Sequence, residues 1–209
     1  MTNPKFSKIG SYPIYHLNFP TQYELAMTFL RFQEHYESPN PKFRGHVFTF
    51  EEYVDWYIQT YSGFTYYKDW GGFNVPSYAI DAVRSFPCLS KREEFLIKLV
   101  DSKIKAKQYY LIGTFGKTSY QTLKHEVCHG MFYCCPEYKE IVSKTVKKYN
   151  MKKLRDVLLN IGYCKEVLVD EIQAYAITGY LPMIRTDEML NLTKELKAKI
   201  IEFNIFKGI

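Results

Sequence analysis

The sequence predicts an α+β fold that is mostly helical, on three observations. Ser or Thr followed three residues on by Glu or Gln, the pattern that satisfies the free N–H groups of a helix start, occurs at Thr21/Glu24, Thr49/Glu52, Ser90/Glu93 and Thr118/Gln121. Apolar residues recur at helical spacing, as in Leu25, Phe29 and Phe32. One short β-rich run, Tyr-Tyr-Leu-Ile-Gly-Thr-Phe at 109–115, sits among them, bounded by Gly113 and Gly116.

In chain order, residues 1–20 read as irregular, because Pro4, Gly10, Pro13 and Pro20 interrupt them. A helix follows from Thr21 to about Tyr36, broken by Ser-Pro-Asn-Pro at 38–41. A loop or short strand over 42–47 precedes a second helix, 50–61, dense in aromatics. Residues 64–76, rich in aromatics and glycine, read either as a substrate-facing wall or as a buried Ω-like loop. Helices are expected at 77–86 and at 90–104. The strand and a helix starting at Thr118 come next, with Tyr120, Leu123, Val127 and Met131 as its buried stripe. Pro136 separates that helix from another over 137–150, and 152–160 forms one more, ended by Gly162. The last two span 167–179 and 187–206, with Pro182 between them and Leu190, Leu196, Ile200, Ile201 and Phe203 on the apolar side of the second. The chain divides on this reading into an aromatic-rich helical part, 1–107, forming one cleft wall, and a metal-binding core, 108–209, within one compact domain.

Composition narrows the class. The 209 residues are 46% hydrophobic, enough for a sizeable core, and the 19 Tyr and 15 Phe call for an aromatic core or an aromatic-lined cleft. Net charge is +6, but the lysines are dispersed, as at 144, 147, 148, 152 and 153, which describes solvated helix faces rather than a nucleic-acid surface. The five cysteines, Cys88, Cys128, Cys134, Cys135 and Cys164, are odd in number and contain no C-x-x-C, so reduced thiols in a cytoplasmic setting are expected rather than a disulfide framework. No apolar signal segment follows Met1 and no stretch has the length of a membrane helix.

The chemistry concentrates in His125-Glu126-Val127-Cys128-His129. H-E-x-x-H on a helix puts two imidazoles about one turn apart on one face, where both can reach one zinc ion (Zn2+), with Glu126 placed as a general base. Cys128 points about 100° away from His129 and reads as core. Gly-Thr-Phe-Gly-Lys-Thr at 113–118 is two residues short of the phosphate-binding loop pattern and reads as a turn. His16, His35 and His46 lie outside the motif and read as ordinary histidines.

In these residues the chain resembles the zincin metallopeptidases. The metzincin extension is absent, since Phe132 and Cys135 stand where its Gly and third His belong. The gluzincin arrangement remains, in which a later helix supplies a Glu. Glu171 with Ala174 looks like its E-x-x-A pattern, at 42 residues beyond His129, with the 152–160 helix filling the gap. Asp170 is the competing ligand; if Glu171 binds the metal, Asp170 is a hydrogen-bonding partner for His125 or His129. Residues 171–182 also resemble the segment after the active helix in ImmA/IrrE-type repressor-cleaving peptidases, although the ligand position there falls on Gln173.

The resemblance implies a zincin-like fold with a short β-sheet beside the H-E-x-x-H helix. It implies a zinc metalloendopeptidase, gluzincin-like, acting on a protein or peptide substrate. The ligands are then His125, His129 and Glu171, Glu126 is the base, and Tyr175 or Tyr180 is the donor to the oxyanion. The strand at 109–115 would bind substrate backbone at an exposed edge. Two other readings stay open: a zinc-stabilised regulatory or binding protein without turnover, and a metal-free helical interaction protein.

Overall fold

A short stretch near the start alternates regularly enough to form a strand despite the prolines around it. In Ile-Tyr-His-Leu-Asn-Phe at 14–19, Leu17 and Phe19 are buried while His16 and Asn18 are partly exposed. The computed structural model describes residues 3–161, 163–179, 186–207 and 209. It places β1 at Lys5–Ile9 and β2 at Ile14–Phe19, so the region expected to be irregular is a strand pair; the prolines fall outside the strands. Then come α1 (Gln22–Glu37), α2 (Phe50–Tyr61), the single turn α3 (Tyr66–Asp69) and β3 (Gly72–Pro76). They are followed by α4 (Ser77–Arg84), α5 (Lys91–Lys103) and β4 (Tyr110–Phe115). The remainder is helical: α6 (Tyr120–Cys134), α7 (Pro136–Val146), α8 (Lys152–Asn160), α9 (Leu168–Thr178) and α10 (Asp187–Ile200). The α+β, mostly helical class is therefore what the chain adopts.

By its internal contacts the chain divides into two units, 1–8 with 15–118, and 9–14 with 119–209. The division differs from the expected boundary at 107/108, because β4 pairs with neighbours from the first unit.

In the first unit the four strands run in the order β1-β2-β4-β3, and β4 pairs antiparallel with β3, Phe73 opposite Gly113 and Val75 opposite Leu111. Strand β4 thus lies inside the sheet with β2 on one side and β3 on the other. It has no exposed edge to offer a substrate, against the sequence expectation. Gly113 is interior to the strand rather than its boundary. A Cβ there would lie 2.7 Å from Leu25 Cδ1 and from Phe29 Cε2, so its absence is what lets α1 settle on the sheet.

The aromatics form core. Phe43, Phe48, Tyr53, Tyr57 and Tyr66 are buried in mutual edge-on or tilted contact, with Trp56 packed against them. The stretch 64–76, expected to be a loop, contributes Tyr66 and Phe73 to this core and folds as α3 and β3. Here an apolar residue at every second or third position outweighs the glycines.

One ion pair ties the unit together. Arg31 on α1 grips Glu93 on α5 with both Nε and Nη2 at 2.6 Å, and its remaining donors go to the carbonyls of Phe48, Pro87 and Cys88. Glu93 Oε2 also accepts the Ser90 N–H in the capping box of α5. His16 Nε2 meets Thr114 Oγ1 at 2.7 Å, and burial lowers its pKa to about 4.

In the second unit the helix caps follow the sequence with one shift. Ser119, not Thr118, caps α6, accepting the Thr122 N–H at 3.0 Å. The buried stripe of α6 is Val127, Cys128 and Met131, while Tyr120 is exposed. Pro136 is the first residue of α7, where its missing N–H costs nothing. The last helix ends at Ile200, before a 3-10 turn, and its apolar face is Leu192, Leu196 and Ile200, spaced four apart; Leu190 and Ile201 are exposed. The roles expected for Gly162, Tyr180 and Pro182 lie outside the described residues. No helix among the described residues is long and apolar enough to cross a membrane.

Two predictions follow from the first unit. Glu93→Gln leaves the buried Arg31 guanidinium without its counter-charge and should lower stability by about 3–5 kcal/mol in a denaturant titration. His16 is held below its unfolded pKa of 6.5, so its contribution is complete above pH 6.5 and is lost as pH falls toward about 4. Stability measured across that window should fall by roughly 2–3 kcal/mol in the native chain, and His16→Gln should remove this part of the slope.

Candidate metal centre

The site is built by two helices of the second unit that pack directly on each other, α6 and α9. Ala174, wholly buried, keeps the contacting side of α9 small. Helix α9 ends where Gly179 adopts φ 73° and returns its N–H to the Tyr175 carbonyl.

His125 and His129 project from α6 with ring centroids 4.8 Å apart. Both Nε2 atoms face one carboxylate: His125 Nε2 lies 3.7 Å from Glu171 Oε2, and His129 Nε2 lies 3.6 Å from Glu171 Oε1. One donor atom from each residue falls within 4.8 Å of the others. A tetrahedral ion with ligands at roughly 2.0–2.1 Å holds its donors about 3.3 Å apart, a few tenths of an ångström closer than the two nitrogen–carboxylate separations. Glu171 Oε2 is buried and meets no hydrogen-bond donor, a costly arrangement for a carboxylate oxygen that a cation would relieve. The three side chains could therefore hold a metal ion.

The opposite nitrogen of each ring is also engaged. His129 Nδ1 lies 2.9 Å from Asp170 Oδ1. That oxygen also accepts from Gln173 Nε2 at 2.9 Å, and Gln173 Oε1 accepts the Tyr138 hydroxyl at 2.8 Å. His125 Nδ1 lies 3.4 Å from Thr178 Oγ1, which donates its own proton to the Ala174 carbonyl and so faces the ring as an acceptor. Each ring thus turns its Nδ1 toward an acceptor, which leaves Nε2 as the nitrogen that faces Glu171. Burial works against charge on His129, but the Asp170 and Glu171 carboxylates outweigh it and raise the pKa well above the usual imidazole range.

The sequence-derived candidates fall as follows. His125, His129 and Glu171 are brought together. Asp170 is at the Nδ1 side of His129, the role open to it if Glu171 is the ligand. Glu126 is half-buried on α6, about 60° round the helix from His129, and its charge is felt there. Tyr175 packs on His125 with ring centroids 4.6 Å apart, and its hydroxyl is 3.4 Å from that of Tyr163. Gln173, fully buried, takes the place of a fastener for Asp170. Cys128 is fully buried beside Tyr138 and its thiol is pushed up by burial, as suits a core residue. His16 and His35 have their partners elsewhere, Thr114 and the His46 carbonyl.

Sequence reasoning missed Thr178, Tyr163 and Tyr138. Thr178 was within reach, because seven residues from Glu171 returns to the same helix face. Tyr138, on α7, carries no local signal.

Set against models of known protein families, curated proteins and solved structures, the chain matches none of them.

The centre yields one prediction. With a panel of divalent ions followed by calorimetry and metal analysis, Glu171→Ala should abolish stoichiometric binding. Asp170→Ala should weaken it by about 10–100-fold without abolishing it, the usual cost of removing a ligand's supporting partner.

Proposed function

We propose that the protein is a zinc-dependent peptidase of gluzincin-like type, hydrolysing a peptide bond in a protein or peptide. The observation that carries this is the convergence of two histidine Nε2 atoms from an H-E-x-x-H helix on a glutamate from a second helix. Two nitrogens and one carboxylate are a donor set suited to zinc, and three protein ligands leave a fourth position open, which catalysis needs and a closed structural site lacks.

When bound, zinc lowers the pKa of water toward 7 and polarises a carbonyl oxygen. Glu126 takes the proton of the attacking water and passes it to the departing amine nitrogen. Asp170, held by Gln173, keeps His129 in the tautomer that presents Nε2. Thr178 does the same for His125. Tyr175, packed on His125, offers its hydroxyl to the oxygen that gains charge as the carbonyl is attacked.

One observation favours the reading without turnover. The three side chains are only 4–12% exposed, and a buried ion can act as a clamp between α6 and α9. Glu126 decides between the two. The zinc-loaded protein is incubated with a random peptide library and the products are read by mass spectrometry. For a peptidase, cleavage occurs in the native chain and is lost by at least about a hundredfold in Glu126→Gln, with metal content and Tm unchanged. Absence of cleavage, with a Tm that falls when zinc is removed, would establish the clamp instead.

A further inference from the structure

The second unit also contains an open concavity of about 700 Å³. Its walls come from the segment after α7, from α8, from the turn that leads into α9 and from the first residues of α9. Lys147, Lys152, Arg155 and Lys165 line it, against a single carboxylate, Asp156, which is paired with Lys152 at 2.7 Å. Lys147, Arg155 and Lys165 make no ion pair among the described residues. The Nε of Arg155 is buried and meets no acceptor among the described residues. Leu168 and Val169 add an apolar wall.

We propose that this cavity is a binding site for a small phosphorylated molecule. Three uncompensated cations in one concavity match the charge of a phosphate or pyrophosphate group. A guanidinium and two ammonium groups are the side chains that hold such groups in proteins. The volume is that of a small-molecule site, and the apolar wall suits the organic part of the ligand.

The test is calorimetric titration of the full chain with inorganic pyrophosphate and with adenosine monophosphate at low ionic strength. Saturable binding of one equivalent is expected, weakened by about tenfold or more in Arg155→Ala and in Lys165→Ala. Lys165 is exposed and its removal leaves the fold intact, so it remains decisive if Arg155→Ala does not fold. Lys148→Ala, whose ammonium pairs with Glu195 outside the cavity, should bind like the native chain. Glu171→Ala should also bind normally, which separates this site from the metal centre. The proposal is overturned by the lack of saturable binding, by equal affinity in Lys165→Ala, or by tighter binding of a poly-glutamate peptide than of pyrophosphate.

Discussion

The hydrogen bond between His129 Nδ1 and Asp170 is the constraint on which the candidate metal centre depends. An imidazole has two nitrogens, and a metal needs one of them free and correctly aimed. By occupying Nδ1, Asp170 directs Nε2 toward Glu171, the next residue on the same helix turn. The bond is itself secured, since Gln173 and Tyr138 extend it into the interior of the unit. No buried side-chain polar atom of that series is left without a partner, which is the condition under which buried polar groups specify a structure rather than weaken it.

The first unit rests on a comparable device made of different chemistry. Arg31 spends its guanidinium on one carboxylate and three carbonyls, and so joins α1 to the start of α5 and to the segments that precede α2 and α5. Around it the aromatic cluster supplies apolar burial. A buried ion pair is weak evidence of stability gained, but it restricts which arrangement of those segments leaves no charge unpaired. That is how a core so rich in large flat rings, which can pack in many ways, is held to one.

Much of this was legible in the chain. The helices are announced by caps whose partners lie three residues away, and α1, α2 and α5 begin where those caps place them. The group that could hold a metal is readable because H-E-x-x-H encodes a helix face by itself, and Glu171 because its own helix is marked. The strands β1 and β2 were obscured by neighbouring prolines that lie just outside them. The interior position of β4 depends on which strands flank it, a long-range fact that no local pattern states. The sequence marks Gln173 only as a position where an amide would make a poor ligand, since its partner, Tyr138, comes from a helix 35 residues away in sequence.

That Asp170 and Glu171 are consecutive has a mechanical consequence. They attend to opposite nitrogens of one ring, so a rotation of α9 about its own axis cannot disturb one without disturbing the other. Rotation of the helix therefore gives no half-assembled form in which Glu171 stays and Asp170 departs. An ion held there would report the docking of α6 against α9 as a single event, and its exchange with solution would keep time with the opening of that helix pair rather than with the breaking of individual bonds.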